Sequence, residues 1–222
     1  MDQSTTPIIA SSLAARLRHV RWLGGGSGAG KSTIARQLAS DYGLRLYRGD
    51  ESIAEHARRA SPAATPLLQA FLAMDMDERW LTRTPAVMYQ TFPWFQGEGF
   101  ALIVEDVLAL PDEPLIVVEG FRLLPRLVAP LLSQPHQAAW LVPTPAFRRF
   151  AFDERGFTWT IPNKTSNPQQ ALSNLLLRDQ LFTDEIARQA HAAHLRLIEV
   201  DGRLSVAELA GEIALSLGLT AQ

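Results

Sequence analysis

GGGSGAGKST, residues 24–33, places Gly25, Gly30, Lys31 and Ser32 in the register GxxxxGK[ST], with Gly26 and Gly28 between them to let the backbone turn tightly. A glycine run of this kind aims successive backbone N–H groups inward, so that a nest for anions opens into the positive end of a helix. The nucleotide-binding residues expected from it are Gly25, Gly26, Ser27, Gly28, Ala29, Gly30, Lys31, Ser32 and Thr33. Lys31 would reach the β- and γ-phosphates of a nucleoside triphosphate, and the Ser32 hydroxyl would ligate the accompanying Mg²⁺.

Both flanks supply the context that this pattern needs. Residues 19–23 read as a strand, and residues 32–42 as a helix with Ile34, Ala35, Leu38 and Ala39 at helical spacing and Gly43 as its stop. Two other readings compete. A merely flexible glycine turn would not need strand and helix in this order. A dinucleotide fingerprint is met by Gly24, Gly26 and Ala29 as GxGxxA, with Asp50 and Glu51 after the next strand, but it leaves Lys31 and Ser32 without a purpose.

Working outward, residues 44–48, 115–118, 137–142 and 195–200 read as further strands, with 115–118 an apolar run suited to a centre buried on both faces. Five strands alternating with helices predict an α/β fold: a five-stranded parallel sheet flanked by helices. In such sheets ligands collect at the carboxyl ends of the strands, which gathers the loops after residues 23, 48, 118, 142 and 200. The chain is expected to be one domain over residues 1–222, with a core of 17–50, 114–147 and 167–222. Residues 51–113 exceed what a crossover needs and are expected to form a helical insertion. Its Trp80, Tyr89, Phe92, Trp94 and Phe95 read mainly as the insertion's own core, with one or two rings and an arginine left to face the cleft. Residues 148–166, basic and broken by Gly156 and Pro162, are expected to form a mobile cover whose candidate arginines are Arg148, Arg149 and Arg155.

Composition narrows the function classes. A 47% hydrophobic and 20% charged chain with a formal charge of −2 is ordinary for a soluble globular protein and argues against broad binding to nucleic acid or membrane. With 0 Cys there is no disulfide or thiolate chemistry, and the polar start without an apolar run fits a cytoplasmic location. His191 and His194 lack an obvious third ligand and read as ordinary solvated or half-buried histidines.

Phosphoryl transfer needs a positioned triphosphate, neutralised charge and an aligned acceptor oxygen. Glu119, ending the apolar third strand, is the candidate for holding Mg²⁺ with Ser32 or for positioning the nucleophile, against a plain strand-end cap. Asp50, after the second strand, is the candidate base for an acceptor hydroxyl, or a group that orients it. Arg178 falls on the apolar stripe of Ala171, Leu175, Phe182 and Ile186. Facing inward, it is either a transition-state cation or one half of an ion pair with a carboxylate such as Asp179. Ser205 and Glu208 form a capping box that opens the last helix.

Taken with YRGDE at 47–51, VVEGF at 117–121, LLLRD at 175–179 and VDGRLS at 200–205, the glycine loop resembles the P-loop kinases of the nucleoside-monophosphate kinase type. The resemblance implies ATP and Mg²⁺ as cofactors, a helical insertion that binds the acceptor, and a lid whose arginines close over the phosphates. Glu119-Gly120-Phe121-Arg122-Leu123 departs from the Asp-Gly-Phe-Pro-Arg run of members that phosphorylate nucleotides, and so weakens the case for a nucleoside monophosphate. The expected function is an ATP-dependent small-molecule kinase with catalytic Lys31, Asp50 and Arg178. The alternative is a nucleotide-dependent switch without an acceptor; a guanine-specific form is disfavoured because Ser166 stands where NKTS, residues 163–166, would need Asp.

Overall fold

Ile116, Val117 and Val118 have no exposed surface, and a strand so enclosed must be covered on both faces. They belong to the computed structural model's β3 (Ile116–Glu119), which describes, with the rest of the chain, residues 12–155 and 161–220. With β1 (Val20–Gly25), β2 (Arg45–Arg48), β4 (Ala138–Pro143) and β5 (Arg196–Val200) it forms one five-stranded sheet in the order β2-β3-β1-β4-β5, every pairing parallel. Alternation along the strands feeds two cores. Trp22, Ile116, Val118 and Trp140 point into one, while Leu23, Val117, Ala139 and Leu141 point into the other.

On the second face lie α1 (Lys31–Tyr42) and, near the chain's end, a helix at Val206–Ser216. The first face is covered by the segment between β2 and β3. It holds α2 (Ile53–Arg59), α3 (Pro66–Ala73), α4 (Met76–Trp80), α5 (Pro85–Thr91) and α6 (Phe100–Leu108). After β3 comes α7 (Pro125–Val128); after β4 come α8 (Pro145–Arg155) and the long α9 (Pro168–Ala192); the Val206–Ser216 helix is α10. None of the helices among the described residues is long and apolar enough to cross a membrane.

Local signals account for the ends. Gly43 stops α1 in the left-handed conformation at φ 62°, Asn167 caps α9 over Pro168, and Ser205 with Glu208 closes both bonds of the capping box on α10. The start of α3 borrows its cap from far along the chain: the Glu98 carboxylate accepts from the N–H groups of Leu67 and Leu68 at 2.9 and 2.8 Å. Glu98→Ala is therefore expected to cost about 1 kcal/mol, read as a drop of about 2–4 °C in thermal midpoint.

Two boundaries differ from the sequence expectation. β1 runs on through Gly24 and Gly25, which pair with Trp140 and Leu141 of β4. A Cβ on Gly24 would lie 2.3 Å from Trp140 Nε1, and one on Gly25 2.0 Å from the Leu141 carbonyl, so these glycines serve strand packing. Residues 148–155, expected in a mobile cover, are instead the body of α8, whose first turn is capped by Thr144 Oγ1 accepting from Phe147 N–H at 3.2 Å. Gly156 and the side chain of Arg155 lie outside the described residues.

Candidate functional site

The loop between β1 and α1 is tied to the sheet by Gly26 N–H, which donates to the Leu141 carbonyl at 2.9 Å. Gly28 at φ 81° and Gly30 at φ 77° then make turns that a side chain would strain. Over the loop sits a cavity of about 130 Å³ lined by residues 27–33, Asp50 and Phe121. Lys31 is buried and its Nζ donates to the Gly26 carbonyl at 2.8 Å. Ser32 Oγ donates to the Glu119 carboxylate at 3.1 and 3.2 Å.

Sheet register explains why these residues meet. Glu119 sits beside Leu23 of β1 on one side and Arg48 of β2 on the other, so the glycine loop and Asp50 emerge next to it. Asp50 Oδ1 accepts from Phe121 N–H at 3.2 Å. Gly120, at φ 155°, makes that possible: a Cβ there would lie 2.7 Å from Asp50 Oδ1. Burial pushes the Asp50 carboxyl above its usual range, against the pull of Lys31 and the Phe121 N–H. Burial also raises Glu119, and the nearby negative Asp50 raises it further, with Lys31 and Ser32 opposing. Two crowded, desolvated carboxylates favour a cation between the loop and the strand ends.

Arg122 is a residue whose role the sequence did not reveal. Only 1% exposed, it donates through Nη2 to Ser52 Oγ at 2.7 Å and to the Gly49 carbonyl, and through Nη1 to His56 Nδ1 at 3.0 Å. A guanidinium can only donate, so His56 accepts at Nδ1 and donates from Nε2 to Asp106 Oδ2 at 2.7 Å. Tyr47 and Arg59 also donate to Asp106, each at 2.6 Å. Burial alone would raise the Asp106 carboxyl, but the bonds from Tyr47, His56 and Arg59 win and hold it at about 2. Burial and the bond to Asp106 push the Tyr47 phenol up to about 12. Glu55, His56 and Asp106 bring ligand atoms within 4.8 Å of one another, with Arg59 on the other oxygen of Asp106 and Arg122 on the other ring nitrogen of His56. The network joins the insertion to the loops after β2 and β3.

A second cavity, about 330 Å³, opens beside the first and shares Ser27 and Phe121 with it. The rings of Phe71, Trp80, Phe92, Trp94, Phe95 and Phe182 line it. Phe95 stacks on Phe182 at 3.8 Å between centroids, and Phe92, Phe95 and Trp80 lie 4.6, 5.1 and 5.0 Å from the Arg178 guanidinium carbon. Trp80, Phe92 and Phe95 are core residues and cavity wall at once; Tyr89 packs on Phe95 and is not among the lining residues. Of the two alternatives for Arg178, the ion pair is the one formed: Nε and Nη2 donate to Asp179 Oδ1 at 2.9 and 2.6 Å.

The candidate cover arginines separate. Arg148 is 2% exposed and anchored to α9 through Gln180 Oε1 at 2.7 Å and Thr183 Oγ1, with its stem against Gly28. Arg149 is exposed on α8. Arg148 thus backs the loop from within α8, and Pro145 after Thr144 is the helix-start signal from which this could have been read.

No family model and no curated protein matches the chain. Among solved structures, the chain is similar to an uncharacterized protein from Eubacterium ventriosum, at 14% identity and a TM-score of 0.46, over 90% of this chain and 97% of that one. It is also similar to the YorR protein of Bacillus subtilis, solved in complex with phosphorylated GDP, at 13% identity and a TM-score of 0.42, over 90% of this chain and 96% of that one. Likenesses this distant leave the ligand of the present chain to be argued from its own residues.

Proposed function

We propose that this chain is a phosphotransferase of P-loop kinase type, passing the γ-phosphoryl group of Mg·ATP to a hydroxyl of a small molecule. The observation that carries this reading is the adjacency of two unlike cavities, one walled by the glycine loop and the other by aromatic rings, meeting at Ser27 and Phe121. A dinucleotide reading fits less well. It needs the acidic residue on the strand next to β1, whereas β3 separates β1 from the Asp50 end of β2, and Gly24 is consumed by packing on Trp140.

The residues present suit the group. Nothing lies within 4 Å of a Cβ placed on Gly30, the loop is open to the cleft, and Ser32 with Glu119 offers the hard oxygen donors that Mg²⁺ takes. Bound there, Mg²⁺ and ATP supply charge neutralisation and the phosphoryl group. Backbone N–H groups of residues 26–33 would hold the phosphates, and the Lys31 ammonium would turn from the Gly26 carbonyl towards them. Asp50 would take the acceptor's hydroxyl proton as the new O–P bond forms and the bond to the β,γ-bridging oxygen breaks. The products are ADP and the phosphorylated acceptor, and the proton leaves Asp50 for solvent.

The test is ADP release from Mg·ATP with and without pooled hydroxyl acceptors. Lys31→Ala is expected to lower acceptor-stimulated release by about 10²–10³-fold with an unchanged circular-dichroism spectrum, because glycines and not the lysine shape the loop. A flat rate in every pool with nucleotide still bound would replace this reading by a nucleotide-dependent switch.

A further inference from the structure

The acceptor's chemistry is written on the second cavity. At about 330 Å³ it is of small-molecule size, and its wall is almost wholly aromatic and aliphatic, Ile53 and Ile161 adding to the rings. A sugar or a nucleotide would strip its hydroxyls and phosphate of water there with little to replace it. The charged residues lining the cavity, Arg178 and Asp179, neutralise each other. One donor is left over: Arg178 is 6% exposed, and its Nη1, closed off among the rings of Trp80, Phe92 and Phe95, has no hydrogen-bond partner, so a ligand oxygen reaches it where that wall yields. A buried donor of this kind is costly until something supplies an oxygen. A neutral carbonyl does so cleanly, whereas a carboxylate would bring a second anion towards the buried Asp179.

We propose that the acceptor is a neutral, flat, largely apolar alcohol carrying a carbonyl oxygen that accepts from Arg178 Nη1, with its ring against the aromatic wall. Its hydroxyl lies at the Phe121 end, where the two cavities meet and Asp50 is held by the Phe121 N–H. The hydroxyl's fate rests on the phosphotransferase reading; the binding of the ring and carbonyl does not.

The probe is methyl 4-(hydroxymethyl)benzoate, which joins ring, ester carbonyl and primary alcohol, and its charged twin is 4-(hydroxymethyl)benzoate. Trp80 and Trp94 stand in the cavity wall, so binding is read as quenching of tryptophan fluorescence, with ADP release measured in parallel. Saturable quenching by the ester, about tenfold tighter than by the carboxylate, is expected. Trp94→Ala, at a half-buried position, should weaken ester binding about tenfold while keeping the circular-dichroism spectrum. Arg178→Lys keeps a cation beside Asp179 and should erase the preference for the ester over benzyl alcohol.

Ester-preferring binding without ADP release would uphold the site and remove the phosphotransferase reading. Failure of both probes to quench saturably would overturn the site, and ADP release with sugars or nucleotides in that case would keep the kinase without it. Equal or tighter binding of the carboxylate would overturn the claim that the ligand is neutral.

Discussion

Asp50→Asn is expected to lower acceptor-stimulated turnover by about 10²–10⁴-fold while raising thermal stability. The amide oxygen still accepts from Phe121 N–H, so the local fold survives, but no base remains for the acceptor's proton. The gain in stability follows from linkage. Burial raises the folded pKa of Asp50 above its unfolded value, so its favourable contribution is present below the ordinary carboxylate pKa and is lost as pH rises through the folded value. At neutral pH the ionised carboxylate, crowded against Glu119, destabilises the ligand-free protein, and an amide does not. The wild type should therefore gain on the variant as pH is lowered from about 7 towards 4. Melting curves across that range, set beside ADP release, check both halves. A variant that melts earlier than wild type at neutral pH, or turns over undiminished, contradicts the role given to Asp50.

Arg122→Leu should produce the largest loss of stability, about 3–5 kcal/mol, because it leaves His56 Nδ1, Ser52 Oγ and the Gly49 carbonyl without their buried donor. That is a large share of the roughly 5–15 kcal/mol that holds a domain together. Urea unfolding measures it, and Arg149→Ala, an exposed arginine, serves as the control with a change within about 0.5 kcal/mol. A loss at Arg122 no greater than the control's would mean that the network does not hold the insertion to the sheet.

The strands were legible because each is an apolar run bounded by breakers, and β3 is the plainest case: Pro114 and Gly120 bracket residues that burial on both faces demands. Ser32, Asp50 and Glu119 could be brought together in advance because parallel strands collect their carboxyl ends. Arg178 was legible as inward-facing from helical spacing, and Asp179 as a possible partner, but that the pair lines a cavity depended on how the insertion closes over α9. Arg122 could be seen as out of register with a familiar run, but nothing in the sequence placed it beside His56, 66 residues away, since a buried arginine and a solvated one look alike in a chain. One or two rings and an arginine were expected at the cleft, but the extent of the aromatic wall was not legible, for a related reason. A phenylalanine that packs a core and one that lines a cavity carry the same pattern, and Phe92 does both. Arg148 lies in a helix and not in a loop, which a basic, glycine-punctuated stretch hides unless the Thr144–Pro145 helix start is given precedence.

Phe121 belongs to both halves of the cleft: its peptide N–H steadies Asp50 while its ring meets Phe92, Phe95 and Phe182. On the proposed reading, the position that steadies the proton acceptor also shapes the pocket, so a change of backbone at Phe121 would reach both. Phe71 and Trp94 meet each other and Phe92 with no such tie to the loop. Anyone wishing to redirect this protein to a new compound should begin with those two, where the shape of the pocket can be redrawn while the chemistry is left in place.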